Sequence, residues 1–172
     1  LSDSPPEKDV QWSEQGMVAS YKFIQKFWNL HQKIKLKSDE KKQYGVKDEI
    51  DIFTNHMINK INVGLNKFSY NVIIANLHEI YGFFNKLEGG HNLIQNYIKI
   101  LKVMIPIVPH LAYECLNDFV QPQNLSWPEV ENKYLQVEKK FIVVQINGKK
   151  RGVLEIATDI DEKKLVEKIK NL

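Results

Sequence analysis

Between Trp12 and Lys37 the chain reads WSEQGMVASYKFIQKFWNLHQKIKLK. Wound at about 100° per residue, this stretch puts Met17, Tyr21, Ile24, Phe27, Trp28, His31 and Ile34 on one side. Lys22, Lys26, Lys33 and Lys37 fall on the opposite side. An apolar stripe backed by a charged ridge is the pattern of a helix laid on a core. It predicts a helix from about Ser13 to Leu36, with the Ser13 hydroxyl accepting from the free amides of the first turn. Pro5-Pro6 keeps the preceding residues 1–12 extended.

The same spacing of three and four recurs downstream. Ile50, Phe53, Met57, Ile61, Leu65 and Phe68 predict a second helix over about Val46–Phe68, after a polar loop at 38–45 that ends in Gly45. Ile73, Ile74, Leu77, Ile80, Tyr81, Phe84 and Leu87 predict a third over Tyr70–Leu87. Ser69 and Asn71 are candidates to cap its start, and Glu88-Gly89-Gly90 to end it through a left-handed glycine. Leu93, Tyr97, Ile100, Leu101, Met104 and Ile105 predict a fourth helix, broken at Pro106 and Pro109. Its second half carries Leu111, Ala112, Cys115, Leu116 and Phe119. Long amphipathic helices joined by short loops specify an antiparallel α-helical bundle.

The pattern changes after Phe119. Residues 120–138 contain Pro122 and Pro128 and show little periodicity, with Trp127 as an expected plug onto the bundle. Phe141–Ile146 and Val153–Ile156 flank Asn147-Gly148, a strong signal for a two-residue hairpin turn. Asp161 then reads as the cap of a short helix, 162–172. The expected division is an extended entry (1–12), a mainly α bundle (13–138), and the start of an αβ domain (139–172). A hairpin and one helix bury too little to stand alone, and the first residue is Leu rather than Met. The chain is therefore expected to be a piece of something longer.

Composition narrows the class. Of 172 residues, 43% are hydrophobic and 26% charged, as in a folded soluble domain. No apolar run reaches the roughly 20 residues that span a bilayer, and the N-terminus is not a signal peptide. A single cysteine, Cys115, excludes an internal disulfide and suits a cytosolic compartment. The thiol is expected to be buried. Net charge is +3, carried almost wholly by lysine, with Arg151 the single arginine. Lysine meets phosphate as a point charge and lacks the planar fork that reads guanine. Any nucleic-acid contact should therefore be to backbone and shape.

Candidate chemistry is sparse. His110 follows Pro109 but has no acid–base partner at a telling spacing, so it is read as a cap on the broken helix. His31, His56, His78 and His91 share no metal-ligand spacing with one another or with Cys115. Trp28, Phe83, Phe84 and Tyr97 can stack on bases, but at helical spacing core packing is the simpler reading. Trp12 is read either as a staple on the first helix or as a contact with another domain.

Several motifs resemble bacterial-type leucyl-tRNA synthetases. Ser4-Pro5-Pro6-Glu7-Lys8-Asp9, then Trp12-Ser13 and Gly16, are similar to the segment after that family's Lys-Met-Ser-Lys-Ser loop. Tyr21-Lys22-Phe23-Ile24 with Lys26 and Trp28 resembles its Arg-Phe-Leu helix, lysine replacing arginine. Phe68 to Asn71, followed by Ile74, Ala75, Leu77 and Glu79, resembles Phe-x-Phe-Asn-Thr-Ala-Ile-Ala-x-Leu-Met-Glu. Pro106, Pro109-His110 and Glu114 are similar to Ala-Pro-Phe-Ala-Pro-His-Ile-x-Glu-Glu, and Trp127-Pro128 to a later Trp-Pro. Val143 to Lys149, with Arg151-Gly152, resembles the hairpin that opens the family's C-terminal domain. Val72, His78, Tyr113 and Leu116 depart from the pattern.

The resemblance implies a class Ia anticodon-binding bundle plus the start of the C-terminal domain, in a cytoplasmic monomer. Its implied partners are leucine tRNA and the parent's catalytic domain, with no DNA and no membrane. It implies no cofactor here, ATP and Mg²⁺ belonging to the parent's catalytic domain. No His-Ile-Gly-His-like stretch, synthetase loop or editing domain is found, so no catalytic residue is expected. The candidate tRNA-binding residues are Lys22, Lys26, Lys33 and Lys37 on the first helix and Lys149, Lys150 and Arg151 on the hairpin. Each group has a plainer reading: a solvated helix face, and lysines that protect a strand edge. The alternative role is a bundle that buttresses the catalytic domain.

Overall fold

A computed structural model describes residues 8–9, 12–37, 49–89, 92–121, 125–135, 139–146, 149–157 and 165. The entry at 1–7, the loop at 38–45, the Asn147-Gly148 turn and the helix expected at 162–172 lie outside the described residues. The chain divides into two compact units, Leu1–Glu131 and Asn132–Leu172. The fold is mainly helical, as the periodicity implies.

The first unit holds α1 (Glu14–Lys37), α2 (Glu49–Asn66), α3 (Tyr70–Lys86), α4 (Leu93–Met104) and α5 (Pro109–Asn117). Helix α2 packs on α3 and α4, α4 on α5, and α1 lies against α3 and α5. Ser13 caps α1 as expected, its Oγ accepting from the Gly16 amide at 3.1 Å. The buried stripe of α1 is Phe23, Phe27, Leu30, His31 and Ile34. Of the residues predicted to be buried, Met17, Tyr21 and Trp28 are instead exposed. Trp12 is 74% exposed and does not act as a staple. Residues 14–22 carry no buried side chain, so α1 meets the bundle only from Phe23 onward.

Helix α3 follows its predicted stripe, burying Ile73, Leu77, Ile80 and Phe84. Its ends differ from expectation. The Ser69 hydroxyl makes no capping bond, and the helix stops at Leu87 in extended conformation (φ −70°, ψ 130°) rather than at a left-handed glycine. Asn92, before α4, takes the left-handed conformation at φ 58°, which its short polar side chain tolerates. The predicted break is present. Residues 105–107 form a turn and Pro109 opens α5, where a missing amide costs nothing. His110 is exposed in the first turn of α5 and caps nothing.

Two helical glycines show opposite environments. A Cβ on Gly64 would sit 2.7 Å from Ile73 Cγ1, whereas one on Gly82 would meet nothing within 4 Å. Alanine is favoured over glycine in a helix by about 1 kcal/mol, and overpacking a core costs about 1–3 kcal/mol. Gly82→Ala is expected to stabilise the bundle by about 0.5–1 kcal/mol. Gly64→Ala is expected to destabilise it, since Ile73 is fully buried and cannot yield. Urea midpoints followed by helical circular dichroism check both signs.

In the second unit a short 3₁₀ turn, Asn132–Tyr134, precedes β1 (Lys139–Ile146) and β2 (Lys149–Ala157). The strands pair antiparallel, from Lys139↔Ala157 to Val144↔Gly152, then Gln145↔Lys150 and Ile146↔Lys149. Arg151 therefore has no partner and forms a bulge on β2. Both strands are longer than predicted, so Lys139, Lys140, Lys149 and Lys150 lie within the ladder and Arg151 at its bulge.

Candidate nucleic-acid interface

The four lysines of α1 do not form one continuous exposed row. Lys22 and Lys26 are exposed on the first half of the helix. Further along, Lys33 Nζ donates to the Asn85 carbonyl at 2.7 Å. Lys37 Nζ donates to the Leu87 carbonyl at 2.6 Å and sits 3.6 Å from Glu88. These carbonyls close α3, whose last turn carries partial negative charge and unmet acceptors. Lys33 and Lys37 therefore act as the cap that glycine does not supply. Burial phases the ridge this way: with Phe27, Leu30 and Ile34 turned inward, the lysines flank the core face and reach α3. On the hairpin, Lys149 and Lys150 pair with Ile146 and Gln145, beside the Arg151 bulge.

The buried polar groups serve packing. His31, fully buried, lies 2.8 Å from Asp118 through Nε2. Its Nδ1 lies 3.4 Å from the Tyr97 hydroxyl, and Lys35 donates to the other Asp118 oxygen at 2.7 Å. These bonds tie α1 to α4 and to the residue just after α5. Hydrogen bonds from Lys35 and then His31 hold the Asp118 carboxyl below the usual carboxylate range. Burial pushes the Cys115 thiol up to about 12 and raises the Tyr97 phenol above its ordinary value, so neither is a poised nucleophile or base. Among the described residues no group of three His, Cys, Asp or Glu could hold a metal.

Two features escape the sequence pattern. Asp51, almost buried, receives Asn96 Nδ2 at 3.0 Å and Asn92 Nδ2 at 3.4 Å, joining α2 to α4. Asparagines on one face of α2 also hold the segment after α5. Asn55 Oδ1 accepts the Glu131 amide at 2.8 Å, and Asn62 Oδ1 accepts Trp127 Nε1 at 3.0 Å. Trp127 is tethered as expected of a plug, yet 43% exposed. The asparagine spacing on α2 was the available signal, and it is silent about which segment fills the face.

Among the described residues, five helices with a proline break between α4 and α5 are followed in the chain by an antiparallel hairpin. The family model described as the anticodon-binding domain of tRNA ligase matches residues 48–166, and the chain belongs to that family. Its relatives specify the branch. The leucine–tRNA ligase of Roseobacter denitrificans is 33% identical over 98% of this chain and 20% of its own length. That of Bartonella tribocorum is 30% identical over 98% of this chain and 21% of its own. A solved LeuRS from Agrobacterium radiobacter K84, in a ternary complex with tRNA and LeuAMS, shares the fold. Its TM-score is 0.68 at 19% identity, over 95% of this chain and 23% of that one. The resemblance to leucyl-tRNA synthetases is borne out, and the chain spans about a fifth of the length of these relatives. Among the described residues no helix is long and apolar enough to cross a membrane.

Proposed function

We propose that this chain is the tRNA-docking part of a cytoplasmic leucine–tRNA ligase, holding the body of leucine tRNA by phosphate and shape contacts. The carrying observation is the exposed lysine pair Lys22 and Lys26 on α1, which packs on the bundle from Phe23 onward. Lys149, Lys150 and Arg151 are proposed as a second phosphate contact. Lys33 and Lys37 leave the contact set, since their ammonium groups close α3. Leucine, ATP and Mg²⁺ are assigned to a catalytic domain outside this chain, which alone should not activate leucine.

Each phosphate neutralised releases counterions, so affinity should fall with salt at a slope of about −0.9 per contact. Titration with leucine tRNA across a salt series is the test. Lys22→Ala with Lys26→Ala is expected to weaken binding and lower the slope by about 2, while Lys33→Ala leaves the slope unchanged. Affinity indifferent to salt, or to the Lys22/Lys26 pair, would refute the reading. A second reading, a bundle that buttresses the catalytic domain, draws on the exposed Met17, Tyr21 and Trp28 of α1. It expects no tRNA binding by this chain and loss of catalytic-domain packing when Tyr21 and Trp28 become serine.

A further inference from the structure

We propose that the recess beneath Trp127 receives one unstacked nucleobase of an RNA strand. It is lined by Asn62, Leu65 and Asn66 of α2, by Pro106 in the α4–α5 break, and by Trp127, with a volume of about 420 Å³. That lies within the range of small-molecule recesses. The lining holds no charged group, so neither an ammonium nor a phosphate is its natural anchor. It offers an aromatic surface and amides, the two features that single-stranded bases use: stacking on a ring and hydrogen bonds along an edge.

The geometry of the indole supports this. Trp127 donates its N–H to Asn62 Oδ1 at 3.0 Å, which fixes the ring while leaving it 43% exposed. A pinned aromatic loses little entropy on binding. The same bond occupies the Asn62 carbonyl and leaves its amide nitrogen as a donor. Asn66, one turn further along α2, is exposed and makes no side-chain hydrogen bond among the described residues. Its amide presents a donor and an acceptor side by side, the pair that matches the edge of a base.

The neighbouring turn adds to the argument. Lys67, next in the chain, is exposed, so a cation for the base's own phosphate stands close in sequence. Phe68 adopts φ 52° and is 64% exposed. That left-handed residue ends α2 in a Schellman cap, with the Ser69 amide donating to the Gly64 carbonyl at 2.9 Å and the Phe68 amide to the Leu65 carbonyl at 3.1 Å.

This proposal rests on the RNA-binding reading above but uses different residues, so the two can fail separately. The experiment titrates the whole chain with two probes at one salt concentration: a base-paired RNA duplex and a single-stranded oligoribonucleotide of equal length. Stacking of one base contributes about 1–3 kcal/mol, so Trp127→Ala is expected to weaken single-strand binding about fivefold or more and leave duplex binding within twofold. Asn66→Ala, at an exposed position that does not support the fold, is expected to weaken single-strand binding severalfold. Trp127→Phe keeps a ring and should retain most of the affinity. The Lys22/Lys26 double variant should weaken both probes. Single-strand binding unchanged by both Trp127→Ala and Asn66→Ala overturns the recess and leaves phosphate docking intact. Binding of the duplex but not the single strand does the same, and binding of neither probe overturns both.

Discussion

Tyr97→Ala is expected to destabilise the bundle by about 3–5 kcal/mol, the usual cost of deleting a fully buried aromatic. Tyr97 is 0% exposed and stands at the centre of a ring cluster. Its centroid lies 6.3 Å from Phe27, 5.7 Å from Phe84, 6.0 Å from His31 and 6.0 Å from Phe119. Those rings come from α1, α3 and the residues after α5, so one side chain of α4 joins most of the unit. Removing it leaves a cavity that four rings cannot jointly collapse into. Tyr97→Phe keeps the ring and loses only the hydroxyl facing His31, so about 1 kcal/mol is expected. Urea denaturation of both variants separates volume from hydrogen bonding. A loss below about 1 kcal/mol for Tyr97→Ala would show that the cluster is not what joins these helices.

Asp51→Leu is expected to cost about 2–3 kcal/mol. Its carboxyl group receives the amides of Asn96 and Asn92, and a hydrogen bond to a carboxylate contributes about 1.5–3 kcal/mol. Asn96, 1% exposed, would keep its bond to the Asn92 carbonyl at 3.0 Å and lose the stronger, charged acceptor, while Asn92 Nδ2 would lose its acceptor. The double variant Asp51→Leu with Asn96→Leu is therefore expected to lose less than the sum of the two single changes. Replacing both members removes the Asp51–Asn96 bond without leaving either of its ends unpaired. A double-mutant cycle read by urea midpoints checks it, and strict additivity would mean that the two side chains do not depend on each other.

Much of the fold was legible in the chain. The stripe of α3, the proline break before α5 and the two hairpin strands follow directly from spacing and from residues with few backbone options. The phase of α1 did not. Its apolar residues cover two arcs, one with Phe23, Phe27, Leu30 and Ile34, the other with Met17, Tyr21 and Trp28. Periodicity cannot tell which arc meets a neighbour when Tyr and Trp tolerate either setting. The same ambiguity bears on the lysines. Lys22 and Lys26 stand exposed as expected, but Lys33 and Lys37 lie where α3 ends, and nothing in a linear pattern brings residue 33 beside residue 85. Asp51 and His31 were hidden for the same reason: a polar residue on an apolar face is interpretable only with its partner in view. The asparagine that fixes Trp127, Asn62, lies 65 positions from it in sequence.

The bond from Lys37 to the Leu87 carbonyl spans 50 positions of sequence. Acetylation at that ammonium would thus be felt less by its own helix than by a distant one. With its charge and two of its three donors gone, the terminal turn of α3 would fray, and a modification on one helix would register as softening in another.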